Sequence, residues 1–418
     1  MPKAGPSIFL GGDAMLTEPW SEIDDPAFLR LVAEMRAAAV TVVNLETVIH
    51  QQTGYAQPEC GGTYMVSPPA IATELKWAGI DMLACANNHA FDYGSAGVLE
   101  TLEHVAEAGL ALAGTGRDLQ AARAPAFFGS DAGTVGLVSM ASTFVPYGRA
   151  SASRPDMHGR PGLNPLRPTK RIAATLPASV AARLPGRFGR QLAQGRTARF
   201  FGLRVLAADQ ARLDLFRHTV LPADLEANLE AIGSAAAQAD VTIASIHAHI
   251  QRSWLRRFAH RAIERGADVV FVQGPHEVRA IEFHAGKPIF YSLGDFVYQP
   301  HRITRFPSEM YEAFGLGPEA TVRDLWPIWE RGTGLGSKRK TFEAVAAVLQ
   351  FDGRRIERIR LLPLDLQFDA DAEIRGRPRL ADARLGRKII EEIAALSRRR
   401  GTIVRYDAAL NEGIVEPA

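Results

Sequence analysis

Five short segments of the chain carry residues able to bind a metal ion or move a proton. They are Gly11-Gly12-Asp13, Asn44-Leu45-Glu46, Asn87-Asn88-His89 with Asp92, His247-Ala248-His249, and Pro275-His276. Hard and borderline divalent cations need several O and N donors converging from different directions. Asp13 follows two glycines that let the backbone come close to a ligand. Glu46 ends an apolar run, so it must be paired, solvated or metal-bound. The Asn88 oxygen is a neutral metal ligand, His89 beside it is a candidate general acid or base, and Asp92 is placed to orient His89. His247 and His249 are two residues apart and face the same way on a continuing strand. His276 repeats the pattern. Each segment alone has a plainer explanation: a turn Asp capping the next element, a surface Glu, an Asx cap of the helix near Ser95, or a satisfied core His. Five in order argue for a metal site and hence for an enzyme. The other histidines (His50, His104, His158, His218, His260, His284, His301) lack such settings, and Cys85 lies inside an apolar run where a thiol is inert.

The elements that must position these residues read as alternating strand and helix. Apolar runs at 7–11, 40–45, 80–86, 110–113 and 135–141 predict buried strands. Helical patterns lie near 26–39, 69–78 and 95–108, with Pro69 near a start and Gly79 past an end. The rhythm resumes with a helix near 223–238, a strand at 241–246 that delivers His247, a helix at 254–265 and a strand at 268–272 before His276. Hairpins follow, 278–284 with 287–296 and 341–351 with 355–362, and a helix at 381–398 closes the pattern. Such alternation implies an α/β fold whose parallel strands bind ligands outside their carboxyl ends.

Two stretches break the rhythm. Residues 142–219 include the run Arg160-Pro161-Gly162-Leu163-Asn164-Pro165-Leu166-Arg167-Pro168 and predict an irregular, Arg-rich lid with some helix at 173–183 and 191–198. Residues 306–340 predict a second irregular insertion. The catalytic domain is then 1–141 with 220–418.

Bulk composition narrows the class. The 418 residues are 47% hydrophobic and 22% charged, ordinary for a globular protein. Two cysteines cannot build a disulfide framework, and the apolar stretch after Met1-Pro2-Lys3 is too short for a signal or a membrane span. A cytoplasmic location without membrane contact is expected. Net charge is +2, yet Arg149 to Arg204 holds twelve Arg or Lys and one acid, Asp156. That basic segment suggests an anionic partner, or a solvated Arg-rich excursion. Nucleic acid is not the expected partner, because its only interleaved aromatics are Phe188, Phe200 and Phe201. Nothing in the sequence predicts an oligomeric state.

The order of these motifs resembles the bacterial capsule-synthesis protein family of CapA type, a branch of the calcineurin-like metallophosphatases. The match runs through Gly12-Asp13-Ala14-Met15-Leu16, Asn44-Leu45-Glu46, Asn88 to Gly94, Arg160 to Arg167, Gly274 to Arg279, and Tyr291-Ser292-Leu293-Gly294-Asp295-Phe296. The resemblance implies a four-layered α/β/β/α sandwich with metals at strand ends. It implies Asp13, Glu46, Asn88, His247 and His276 or its neighbourhood as ligands, with Glu46 bridging and His89 transferring the proton; His249 joins the candidate ligands by its spacing from His247. Arg160, Arg167 and Arg279 become candidates for substrate binding. The chain departs from the family pattern at Met15, Ile250, Gln273 and Asp295. Two lost imidazoles leave one or two metal ions open, drawn from Mn, Ca, Zn, Fe or Mg.

Three functions fit. One is a metal-dependent hydrolase of a phosphoester or peptide-like substrate, in which His89 protonates the leaving group. The second is a cofactor-free Cα epimerase acting on a peptide, with His89 as one base and Asp13, Asp92 or His276 as the other, which the resemblance permits because one relative epimerises a ribosomal peptide. The third is a non-catalytic binding module, for which Gln273 and Ile250 speak.

Overall fold

The computed structural model describes residues 4–181, 183–184, 186–194, 198–200, 203–208 and 212–416. The expectations for Met1 to Lys3 and for Phe201 fall outside these residues. The chain forms two compact units: Met1–Pro165 with Glu226–Ile250 and Ala259–Ala418, and Leu166–Leu225 with Gln251–Phe258.

The larger unit is mixed α/β. Apart from two-residue strands, its described strands are β1 (Ala4–Met15), β2 (Val40–Leu45), β3 (Met82–Ala84), β4 (Ala111–Ala113), β5 (Ala126–Ser130), β6 (Gly133–Ala141), β7 (Val241–His247), β8 (Val269–Gln273), β9 (Ile281–His284), β10 (Lys287–Phe290), β11 (Asp295–Tyr298), β12 (Glu343–Asp352), β13 (Arg355–Asp365), β14 (Ile403–Asp407) and β15 (Glu412–Glu416). A ten-stranded sheet runs β14-β15-β13-β12-β1-β2-β3-β4, with β11 and the short strand Arg379–Leu380 pairing off this path. A six-stranded sheet runs β9-β10-β8-β7-β6-β5. Strands β1, β2, β3 and β4 pair in parallel, as do β6, β7, β8 and β10.

Both central strands β2 and β7 are buried at every residue. Their mostly apolar sequences, broken by Thr41 and Asn44 in β2 and by Thr242 and Ser245 in β7, reflect cover on both faces. Side chains alternate across a strand. Thus Ile8 and Leu10 of β1 join Val40, Val42, Val241, Ile243, Val269 and Phe271 in one apolar cluster drawn from both sheets. Phe9 and Val43 point the other way, into a second cluster with Phe28, Leu31, Val32 and Met35. Those four belong to α1 (Pro26–Ala37), started by Pro26 and by Asp25, whose carboxylate accepts from the Ala27 and Phe28 amides.

Three expectations need correction. The run 287–296 is not one strand of a hairpin: β10 pairs with β9, but β11 leaves to pair with β1 in parallel. The helix Ala383–Arg398 does not close the chain, since β14 and β15 follow it on the sheet edge. The insertion 306–340 is not irregular. It contains the helices Ser308–Ala313 and Val322–Thr333, packed around Tyr64, Met310, Leu325 and Trp329. Pro327 inside the second helix disguises it, although a Thr321–Asp324 capping box starts it.

The smaller unit corrects a fourth. The irregular lid is instead a four-stranded sheet ordered Ala198–Phe200, Leu203–Ala208, Pro168–Pro177, Arg212–Val220, with helices Ala178–Ala181 and Gly186–Ala193. Most of the helix expected at 173–183 is strand, because cross-strand pairing on both sides overrides the local preference of its alanines. Residues 142–165 belong to the larger unit. Among the described residues no helix is long and apolar enough to cross a membrane.

Candidate metal centre

The site is built at the carboxyl ends of β1, β2, β3, β7 and β8. In β1 the pairing with β2 shifts register between Leu10 and Asp13, which turns Asp13 inward. Gly12 is required there, since a Cβ would lie 1.8 Å from the Gly294 carbonyl where β11 crosses. Asp13 accepts from Asn44 Nδ2 at 2.7 Å and from the Gly274 amide at 2.9 Å. Glu46 stands one residue beyond β2, its amide bonded to the Ala14 carbonyl. Past β3, Asn87 donates to the Leu45 carbonyl at 2.7 Å and accepts from the His89 amide at 3.1 Å. This turn presents Asn88 and His89. Asn88 Nδ2 donates to the Gly61 carbonyl, leaving its Oδ1 3.2 Å from His249 Nε2. His276 has a φ of +55°, rare outside glycine.

Six of these side chains form two ligand clusters. In the first, His247 Nε2 lies 3.1 Å from His249 Nε2 and 3.6 Å from Glu46 Oε1, and Asn88 Oδ1 completes the set. In the second, ligand atoms of Asp13, Glu46 and His276 all lie within 4.8 Å of one another. A cation with bonds of about 2.0–2.2 Å holds neighbouring donors roughly 3.0–3.6 Å apart, the spacing of the first cluster. Glu46 belongs to both. It is fully buried, and neither of its carboxylate oxygens has a hydrogen-bond partner. A buried carboxylate without partners is costly unless a cation satisfies it. The donor set therefore fits divalent metal.

Charge is divided between the two clusters. Burial pushes the Glu46 carboxyl well up, Asp13 and Asp295 add to this, and His276 opposes it. Burial likewise raises Asp13 to about 7 against the pull of His276. Burial, then the neighbouring imidazoles, pushes His247 well down and His249 down to about 3, so both stay neutral and able to ligate. For His276 burial is outweighed by Asp295, Glu46 and Asp13, which raise it to about 10.

His89 lies beside the imidazole-rich cluster, close enough to act on His247 and His249 electrostatically. Its Nδ1 is 2.8 Å from Asp92 Oδ2, which also accepts from the Met65 amide at 2.7 Å. Asp92 is buried, and its carboxyl is pushed up by that burial despite His89. The contact suits a proton on His89 Nδ1 donated to the Asp92 carboxylate.

The structure thus brings together Asp13, Glu46, Asn88, His247, His249 and His276, with the His89–Asp92 pair beside them. The three arginines make other contacts. Arg279 pairs with Glu277, and Arg160 donates to the Arg149 carbonyl at 2.8 Å. Arg167 belongs to the smaller unit, where Asp224 clamps it through two bonds of 2.7 Å. Met15 packs in an apolar cluster, Gln273 donates to Ser245 and the Phe271 carbonyl, and Ile250 is exposed. The site also contains residues that sequence reasoning did not assign: Asn44 and Gly274, which hold Asp13, and Asp295, whose Oδ1 is 2.8 Å from His276 Nδ1. Asn44 lies within the Asn44-Leu45-Glu46 motif, and Asp295 is one of the positions where the chain departs from the family pattern.

Comparison with known proteins agrees with the motifs. An uncharacterized protein of Sinorhizobium fredii is 30% identical over 423 residues, covering 95% of this chain and 90% of its own. A probable polyglutamine synthesis accessory protein of Mycobacterium tuberculosis is 31% identical over 285 residues, 67% of this chain and 59% of its own. A solved structure described as a novel phosphatase, from Mycoplasma pneumoniae, aligns with 89% of this chain and 98% of that one at 9% identity. Its TM-score of 0.41 is too low to bear on fold or function. The family described as bacterial capsule synthesis protein, PGA_cap, matches residues 7–300. With its motifs spread in order through that match, the chain belongs to the bacterial capsule synthesis protein family.

Proposed function

We propose that this protein is a metal-dependent hydrolase that holds two divalent cations across Glu46 and cleaves a phosphoester or peptide-like bond in an anionic substrate. One observation carries the proposal: two ligand clusters share a fully buried Glu46 whose oxygens have no hydrogen-bond partner. His247, His249, Asn88 and Glu46 would hold one ion, and Asp13, His276 and Glu46 the other. The imidazole-rich set suits Zn, Fe or Mn, and the carboxylate-rich set Mn, Mg or Ca. When bound, such ions polarise the scissile oxygen and acidify a water.

The chain's own residues supply the rest. His89, with its Nδ1 proton held by Asp92, would deliver a proton from Nε2 to the leaving group. The basic stretch from Arg149 to Arg204 would attract an anionic substrate, and within the larger unit Arg160 and Arg279 are the candidate binding groups. The M. tuberculosis relative is named for polyglutamine synthesis, and an amide-linked chain fits a peptide-like substrate. The two sheets joined by one apolar cluster would be the inner layers of an α/β/β/α sandwich. Free Cys60 and Cys85 suit a cytoplasmic setting. The test is cleavage of phosphoester and peptide panels by Mn- or Zn-loaded protein, with His89→Ala as control. Cleavage lost in the control is expected; a loaded wild type that cleaves nothing contradicts the proposal.

A second observation favours a different reaction. Two carboxylate-backed imidazoles, His89–Asp92 and His276–Asp295, come from separate strand ends. With a single ion on the imidazole-rich cluster, one could remove a Cα proton and the other return it to the opposite face. Incubation of a peptide substrate in heavy water would then place deuterium at Cα, and no exchange would exclude this chemistry.

A further inference from the structure

The crossing of β11 to β1 sets Asp295 in register with Asp13. Asp295 is fully buried, its Oδ1 meets His276 Nδ1 at 2.8 Å, and its Oδ2 has no partner. His276 has a left-handed φ of +55°, which sets the direction in which its side chain leaves the backbone, and its ring is held by the contact to Asp295. The other carboxylates are too far to hold it. Asp13 Oδ2 is 3.9 Å from Nδ1, and Glu46 Oε1 is 4.0 Å from Nε2. Only the contact to Asp295 has hydrogen-bond length.

We infer that Asp295 is a positioning residue of the carboxylate-rich metal subsite. It keeps the proton of His276 on Nδ1 and turns Nε2 toward the cation shared with Glu46. This rests on the two-ion proposal above. A ligating imidazole donates its other N–H to a carboxylate or carbonyl, which fixes ring and tautomer. An amide at this position would also accept the Nδ1 proton. Asp295 is a third carboxyl beside Asp13 and Glu46, and an oxygen-rich subsite suits a harder cation such as Mn better than the subsite built on His247 and His249 does.

The experiment is calorimetric titration of metal-free protein with Mn, for wild type, Asp295→Ala, Asp295→Asn and Asn88→Ala. Wild type should take up two ions. Asp295→Ala should weaken one of them about 10–100-fold and leave the other unchanged. Asp295→Asn, which keeps an oxygen for the Nδ1 proton, should lose less. Asn88→Ala should weaken the other ion. An Ala variant that binds both ions like wild type overturns the inference while leaving the two-ion proposal intact. So does an Asn variant as defective as the Ala variant. A wild type that binds no second ion overturns both. Where the Ala variant does not fold, the ¹⁵N shifts of His276 in the zinc-loaded wild type and Asn variant read the tautomer directly. Nδ1 protonated in both is expected, and Nε2 protonated contradicts the role.

Discussion

Replacing Glu46 with Gln should stabilise the metal-free protein and remove the stability that metal adds. In the wild type both Glu46 oxygens are buried without hydrogen-bond partners, and the nearest cationic group, His276 Nε2, is 4.0 Å from Oε1. The carboxyl is pushed well up by burial and by the nearby charges of Asp13 and Asp295. Leaving a buried polar group unsatisfied costs about 1–3 kcal/mol. Gln has the same shape, carries no charge and offers an N–H to its acidic neighbours, so much of that cost should be recovered. Metal acts in the opposite direction. At 100 times its dissociation constant an ion stabilises the wild type by about 2.7 kcal/mol. The Gln variant, lacking the shared ligand charge, should gain little. Denaturant melts of both proteins, in chelator and in saturating Mn, should therefore cross: the variant more stable without metal, the wild type more stable with it. A variant that is less stable in chelator, or that gains as much from Mn as the wild type, would refute the reasoning.

Three further predictions follow from the same geometry. Asp13, raised from 3.8 to about 7, keeps a proton in the folded metal-free state that the unfolded chain has already released, so stability falls as pH rises through that window. His249, lowered from 6.5 to about 3, has the opposite sense and costs stability as pH falls through its own window. His276, raised to about 10, adds stability below its ordinary 6.5 that is lost as pH rises through 10. Ion binding must expel the protons of Asp13 and His276, so titrations in buffers of different ionisation enthalpy should show proton release at neutral pH; none would contradict the ligand assignment. Asp92→Asn keeps the shape of the His89 partner but not its charge, and turnover should fall about 10²–10⁴-fold while ion count stays the same. Equal turnover, or lost ions, would remove His89–Asp92 from the chemistry. In Gly274→Ala the new Cβ would lie 2.7 Å from His249 Cδ2 and 3.1 Å from His247 Nε2, at a φ of +105°. The variant should lose about 1–3 kcal/mol of stability and bind the imidazole-held ion more weakly, and unchanged titrations would show that His249 has room to spare.

Much of the site was legible because its residues are local endpoints. Asp13, Glu46, His247 and His276 each follow a mostly apolar run, and such runs end where the chain leaves a sheet covered on both faces. His89 and Asp92 sit in one tight turn, so their pairing follows from spacing alone. What escaped depends on contacts distant in sequence. Asp295 reaches His276 only because β11 leaves one sheet for the other, with Gly294 at a φ of +82° making the turn. Asn44 and Gly274 hold Asp13 from 31 and 261 residues away. The sheet through Pro168–Val220 escaped because alanine-rich, arginine-rich sequence favours helix until strands pair on both sides. The helix Val322–Thr333 escaped because it accommodates Pro327.

The most direct measurement is the number of divalent ions bound per chain, by elemental analysis and native mass spectrometry after loading with Mn or Zn. Wild type should hold two. Glu46→Gln should lose affinity at both positions, while Asn88→Ala and Asp13→Ala should each lose one. A wild type that holds no ion, or ions that survive Glu46→Gln, would contradict a metal centre built on this shared carboxylate.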